Sequence, residues 1–119
     1  MKNNIIKEKS FEFSVRIINL YKFLTNEKKE YVLSKQILRS GTSIGANVEE
    51  ALGGFSDNDF IYKMQTSYKE TRETIYWLKL LQRTDYIKKK QFDSIVNDAN
   101  EIIKILTNIL KTKKESIKN

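Results

Sequence analysis

The sequence predicts an all-α fold, an up-down antiparallel four-helix bundle formed as a single domain over 1–119. Three observations lead there. The 119 residues contain no proline, and all four glycines fall between positions 41 and 54, so most of the chain lacks helix breakers. Apolar residues recur at helical spacing in four segments. Only short polar breaks part these segments, which makes consecutive helices antiparallel neighbours. A chain of this length buries one core but not two.

The first predicted helix, 8–25, carries Phe13, Ile17, Leu20 and Leu24 at spacings of four, three and four. Phe11, Val15, Ile18 and Tyr21 widen that stripe into a broad apolar face, and the helix ends at the polar break "TNEKK". In the second, 29–52, Leu33, Ile37, Gly41, Ile44, Val48 and Ala51 keep the period straight through two glycines, with Leu38, Gly45 and Leu52 on the same face. The third, 57–84, has Ile61, Met64, Tyr68, Thr71, Ile75 and Leu78, flanked by Trp77 and Leu81. Ser56 or Asp57 stands at its N-cap position, and Asp59 in the first turn meets the helix dipole. The fourth, 89–113, follows Phe92, Val96, Ala99, Ile103, Leu106 and Leu110, and a basic tail, 111–119, frays from its end.

The stretch "RSGTSIGANVEEALGG" at 39–54 invites a phosphate-loop reading. A P-loop needs Gly-x-x-x-x-Gly-Lys-Ser/Thr, and no basic residue follows the glycines within reach. The dinucleotide pattern Gly-x-Gly-x-x-Gly is missing too. Gly41 and Gly45, one turn apart on the apolar side, are better read as sites of close helix packing, at a propensity cost of about 1 kcal/mol each. Gly53 and Gly54 follow the last periodic residue and mark a helix C-terminus.

A second stripe runs along the same helix: Gln36, Ser40, Ser43, Asn47 and Glu50, small, polar and nearly uncharged. Such a row at a half-buried edge reads as a structural polar seam that hydrogen-bonds to a neighbouring helix. A solvated flank and a ligand-binding row are the alternatives.

Composition narrows the chemistry. Without histidine or cysteine, the usual zinc sites, cysteine nucleophiles and histidine triads are excluded. Glu-x-x-His di-metal bundles go with them. A carboxylate cluster of Glu49, Glu50, Glu70 and Glu73 is the one route to a metal-dependent enzyme, but without histidine these carboxylates are better read as hydrogen-bonded to Ser43, Asn47 or Arg39. The expectation is a non-enzyme without metal or cofactor. No apolar run is long enough for a membrane span or a signal peptide, and the absence of cysteine suits a reducing cytoplasm.

The segment "EYVLSKQILRSGTSIGANVEEA" resembles the signature helix of the bacterial 23S rRNA-intervening sequence proteins, through Leu33, Gln36, Leu38, Arg39, Ser40, Ser43, Ile44, Asn47 and Glu50. Ser67, Glu70 and Leu78 extend the resemblance, and Ala51 stands where many relatives place glycine. It implies an up-down bundle assembled into a ring-shaped homopentamer. The family is named for reading frames inside intervening sequences of 23S ribosomal RNA genes, which does not make its members ribosomal proteins. A similar basic bundle is the accessory protein of diversity-generating retroelements, working beside a reverse transcriptase and nucleic acid.

Twenty-two basic residues against fifteen acidic ones give a net charge of +7. Lys88, Lys89 and Lys90 fall at the turn between helices three and four, while Lys111, Lys113 and Lys114 fall on the tail. Arg39, Lys69, Arg72, Lys79 and Arg83 lie on the two central helices. Up-down topology puts the first two groups at opposite ends of helix four. These cations suit RNA or DNA phosphates, with solubility alone as the plainer reading. No base-reading motif is present. Tyr76 and Trp77 are candidates for an oligomer interface together with helix two, although Trp77 fits a core position equally well. The functional expectation is a self-assembling scaffold that associates with nucleic acid, against a protein-binding adaptor such as a reverse-transcriptase accessory subunit.

Overall fold

The computed structural model describes residues 2–118, with side chains from Ile5 onward. Four helices follow in order, α1 (Lys2–Asn26), α2 (Leu33–Leu52), α3 (Asp57–Arg83) and α4 (Lys89–Lys118). They form an antiparallel bundle in which α1 packs on α2, α2 on α3 and α3 on α4, with α4 closing thinly against α1. The molecule measures 51 × 21 × 20 Å. One apolar core runs along its axis, built from residues such as Ile17, Leu24, Ile37, Ile44, Met64, Leu78, Ile102 and Leu106, all at or near zero exposure.

The observed ends differ from the expected ones for identifiable reasons. α2 begins at Leu33 rather than residue 29, because Lys29 takes a left-handed φ of 54° and reverses the chain. The nearly buried Glu30 carboxylate then accepts hydrogen bonds from the backbone N–H groups of Val32 (3.2 Å), Leu33 (3.0 Å) and Ser34 (2.7 Å). These are the donors that a helix start leaves orphaned. At α3 the cap is Ser56, whose Oγ accepts from the Asp59 N–H at 3.0 Å, with Asp57 and Asp59 in the first turn. α2 stops at Gly53, which has φ −92° and needs no left-handed conformation. The tail is not frayed: α4 continues to Lys118, and Lys113 pairs with Asp57 at 2.8 Å and sits over the Phe60 ring.

Gly41 and Gly45 lie against α1. A Cβ at position 41 would stand 2.7 Å from both γ-carbons of Ile17; one at 45 would stand 3.2 Å from the Ser10 carbonyl oxygen and 3.3 Å from the Ser14 hydroxyl. The two helices therefore meet nearly backbone to backbone, with Ser10 and Ser14 as the small residues opposite. This removes the glycine face of α2 from the candidate oligomer interface, because it is consumed inside the subunit. Conversely, Phe11, Val15 and Ile18 are not core residues: they are 63%, 40% and 39% exposed. The apolar stripe of α1 is wider than its contacts with α2 and α4 can cover.

Gly41→Ala gains up to about 1 kcal/mol in helix propensity but forces a methyl group into Ile17, an overpacking cost of roughly 1–3 kcal/mol. Thermal unfolding followed by circular dichroism should show a lower Tm than for the native chain. A raised Tm would mean that the crossing has room to spare.

Candidate nucleic-acid interface

The α2–α3 seam is where the sequence-predicted polar row is put to use. Ser40 is fully buried, and its Oγ accepts from the Thr74 hydroxyl at 2.9 Å. Beside it the Ser67 hydroxyl donates to the Ile44 carbonyl at 2.9 Å, joining α3 to α2 a second time. Each buried bond of this kind contributes about 0.5–1.5 kcal/mol net, and more is lost if one partner is orphaned. Of the rest of the row, Glu50 also reaches α3, at the surface, while the others bond along their own helix or face solvent. Ser43 donates to the Arg39 carbonyl, Asn47 to the Ser43 carbonyl, Gln36 is exposed, and Glu50 pairs with Lys63 at 2.8 Å. The buried seam is thus Ser40, Ser67 and Thr74; Ser67 and Thr74 carry the partners that spacing on α2 alone could not supply.

Arg39 closes the same seam at the surface. Its guanidinium donates to Glu70 at 3.0 Å and makes a short contact with Glu73, which also accepts from the Trp77 indole N–H at 3.0 Å. Burial pushes the Glu73 carboxyl up, but the hydrogen bonds from Trp77 and Arg39 and the Arg39 charge together hold it below its ordinary range. The bond to Glu73 in turn raises Arg39 further above its already high value, against burial. Arg39 is therefore a clasp between helices and not part of a free cationic surface.

The carboxylates of the metal-site reading do not converge. Glu49 pairs with Lys7 at 3.9 Å, Glu50 with Lys63, and Glu70 and Glu73 with Arg39. Among the described residues no group of three or more metal-ligating side chains comes together. A groove of about 620 Å³ lies between the α2–α3 turn and the end of α4, lined by Ile5, Leu52, Phe55, Phe60 and Ile109. Its charged members Asp57 and Lys113 are bonded to each other, which leaves it an apolar cleft without a poised reacting group.

The opposite side of α3 has a different character. Lys69, Arg72, Tyr76, Lys79 and Arg83 follow spacings of three, four, three and four, so they form one row along the helix, and all five are exposed. From Lys69 to Arg83 the row is about 21 Å long. Among the described residues no carboxylate comes within 4 Å of its four cations, because the acidic residues in the middle of α3, Glu70 and Glu73, face α2 and are held by Arg39. Arg72 leans over the Tyr68 ring at 6.0 Å. Tyr76 is 55% exposed and meets Trp77 edge-on, ring centres 5.2 Å apart at 62°. Trp77 itself is half-buried and packs against the core.

Beyond Arg83, where α3 gives way to α4, stand Lys88, Lys89 and Lys90, all exposed. Lys89 is paired with Asp93 at 2.8 Å. The α1–α2 turn, 27–32, is at this same end, and it adds Lys28 and Lys29, with Lys35 just beyond. In the sequence Lys28 and Lys29 stand in the polar break "TNEKK"; up-down topology is the signal that places them beside 88–90. Lys111 and Lys114 lie exposed at the far end of α4, with Lys113 tied down between them.

These features define a basic four-helix bundle with a polar-stitched centre and one uncompensated cationic helix face. The sequence profile described as 23S rRNA-intervening sequence protein matches residues 2–108, and the chain belongs to that family. It is similar to a solved protein of unknown function, from the S23 ribosomal protein family of Bacteroides thetaiotaomicron VPI-5482. The two share 60% identity and superpose with a TM-score of 0.92, over 93% of this chain and 99% of the other. Among curated proteins no match was found. No helix among the described residues is long and apolar enough to cross a membrane.

Because the folded-state Glu73 titrates below its unfolded value, its contribution is present at neutral pH and is lost as pH falls through the folded pKa. Glu73→Gln should lower the Tm at pH 7 by about 2–5 °C, the scale of a partly exposed ion-pair cluster. The gap to the native chain should close as pH drops below the ordinary glutamate range. A constant offset at every pH would contradict the clasp.

Proposed function

We propose that this protein is a non-enzymatic, self-assembling bundle that holds the phosphate backbone of RNA or DNA along the outward face of α3. One observation carries the reading: Lys69, Arg72, Lys79 and Arg83 stand in a single unpaired row while the neighbouring carboxylates are tied to Arg39. A solubility surface mixes signs along each helix face; a row of one sign raises the local potential and attracts a polyanion. Contact is electrostatic and indifferent to base identity, and Lys88, Lys89 and Lys90 extend the row at its C-terminal end. The setting is cytoplasmic. Self-assembly is supported by the exposed Phe11, Val15 and Ile18 on α1, a stripe suited to covering by another copy of the chain, and a pentamer is the assembly that the family resemblance implies. An adaptor for a protein such as a reverse transcriptase remains the rival use of the same scaffold.

The test is a titration of purified protein against RNA and duplex DNA between about 50 and 200 mM salt, with mass followed by light scattering. The logarithm of affinity should fall steeply with the logarithm of salt, and each row cation changed to Gln should flatten that slope by nearly one unit. Phe11→Lys should reduce the assembled mass. Salt-insensitive capture of a protein without nucleic-acid binding would establish the adaptor instead.

A further inference from the structure

Resting on that reading, we infer that the α3 face takes single-stranded nucleic acid in preference to a duplex, with Tyr76 as the platform on which one base stacks. The row is not a uniform line of charge. Lys69 and Arg72 lie on one side of Tyr76, Lys79 and Arg83 on the other, and the ring fills the widest interval between consecutive cations, from 72 to 79. That interval is seven residues, or about 10 Å along the axis. A strand lying along the row would place phosphates on the two cation pairs and a base over the ring between them.

Tyr76 is also held ready for this. Its neighbour Trp77 meets it edge-on at 5.2 Å, and the Trp77 indole is fixed by the 3.0 Å bond to Glu73, which Arg39 holds from α2. A ring braced in this way loses little freedom when a base covers it. Tyr62, two heptads earlier on the same face and 64% exposed, supplies a second ring at the N-terminal end of the row.

A duplex makes poor use of these features. Its bases are stacked inside, so Tyr76 would gain at most a hydroxyl contact with a phosphate. Nor can α3 sink into a major groove of about 12 Å while it is flanked by α2 and α4 in a bundle 21 × 20 Å in cross-section. A single strand offers a π-face at every base and adapts its backbone to a straight row of cations.

The experiment compares a labelled oligothymidylate of about 16 nucleotides with a duplex of the same length, read by fluorescence anisotropy. The proteins are the native chain, Tyr76→Leu, Tyr76→Phe and the row variant Lys69→Gln/Arg72→Gln/Lys79→Gln/Arg83→Gln. The native chain should bind the single strand at least about tenfold more tightly than the duplex, and Tyr76→Leu should erase most of that ratio without changing the salt slope. Tyr76→Phe should retain it. Trp77, the sole tryptophan, should change its emission when the single strand binds. The row variant should weaken both ligands. Equal affinity for the two ligands, or a Tyr76→Phe loss as large as that of Tyr76→Leu, would overturn stacking while leaving the electrostatic row in place. Binding unchanged in the row variant, or no binding of either ligand, would remove the row and the stacking together.

Discussion

Everything in this bundle depends on how closely α2 approaches α1. Gly41 admits Ile17 to a distance that a Cβ would forbid, and Gly45 brings the Ser10 backbone closer than most Cβ atoms allow. The cost in helix propensity, about 1 kcal/mol for each glycine, is offset by close packing along the contact. With one face of α2 committed to α1, its adjoining edge is left to meet α3, and that edge carries Ser40 and Arg39. Ser40 then finds Thr74, and Arg39 finds Glu70 and Glu73.

From this follows the sorting of charge on α3. A net charge of +7 spread evenly would do little beyond keeping the protein soluble. What matters is local. The clasp gathers Glu70 and Glu73 on the α2 side and satisfies them there, and the cations left on the opposite side have no neighbouring carboxylate to quench them. The same clasp anchors Trp77 and, through it, the exposed Tyr76. A structural network on one side of a helix thereby prepares a binding surface on the other. Its reach is short, since such fields decay over about 8 Å at physiological ionic strength.

Much of the fold was legible in the sequence because buried positions repeat with the helical period. Ile37, Ile44, Val48 and Ala51, like Met64, Leu78 and Leu106, are where the rhythm puts them. What escaped did so for physical reasons. Periodicity shows that a stripe is apolar but not how much of it a neighbour covers, so Phe11 and Ile18 read as core. The start of α2 depends on a glutamate reaching three backbone N–H groups, while Ser, Thr, Asp and Asn are the residues a cap search looks for. Arg39 was one of three partners the sequence offered the α3 carboxylates, and only the helix packing selects it over Ser43 and Asn47. Ser67 and Thr74 look like ordinary helix residues until their partners across the seam are known. The outward row of α3 was readable in its spacing; its freedom from ion pairs was not.

The most direct measurement is lysine footprinting: acetylate the protein with and without a bound oligonucleotide and map the modified sites by mass spectrometry. If α3 is the nucleic-acid surface, Lys69 and Lys79 will be shielded, with Lys88 and Lys90 following at the end of the row. Lys7, Lys111 and Lys114 will react as in the free protein. Shielding confined to Lys111 and Lys114, with Lys69 and Lys79 still fully reactive, would contradict the account.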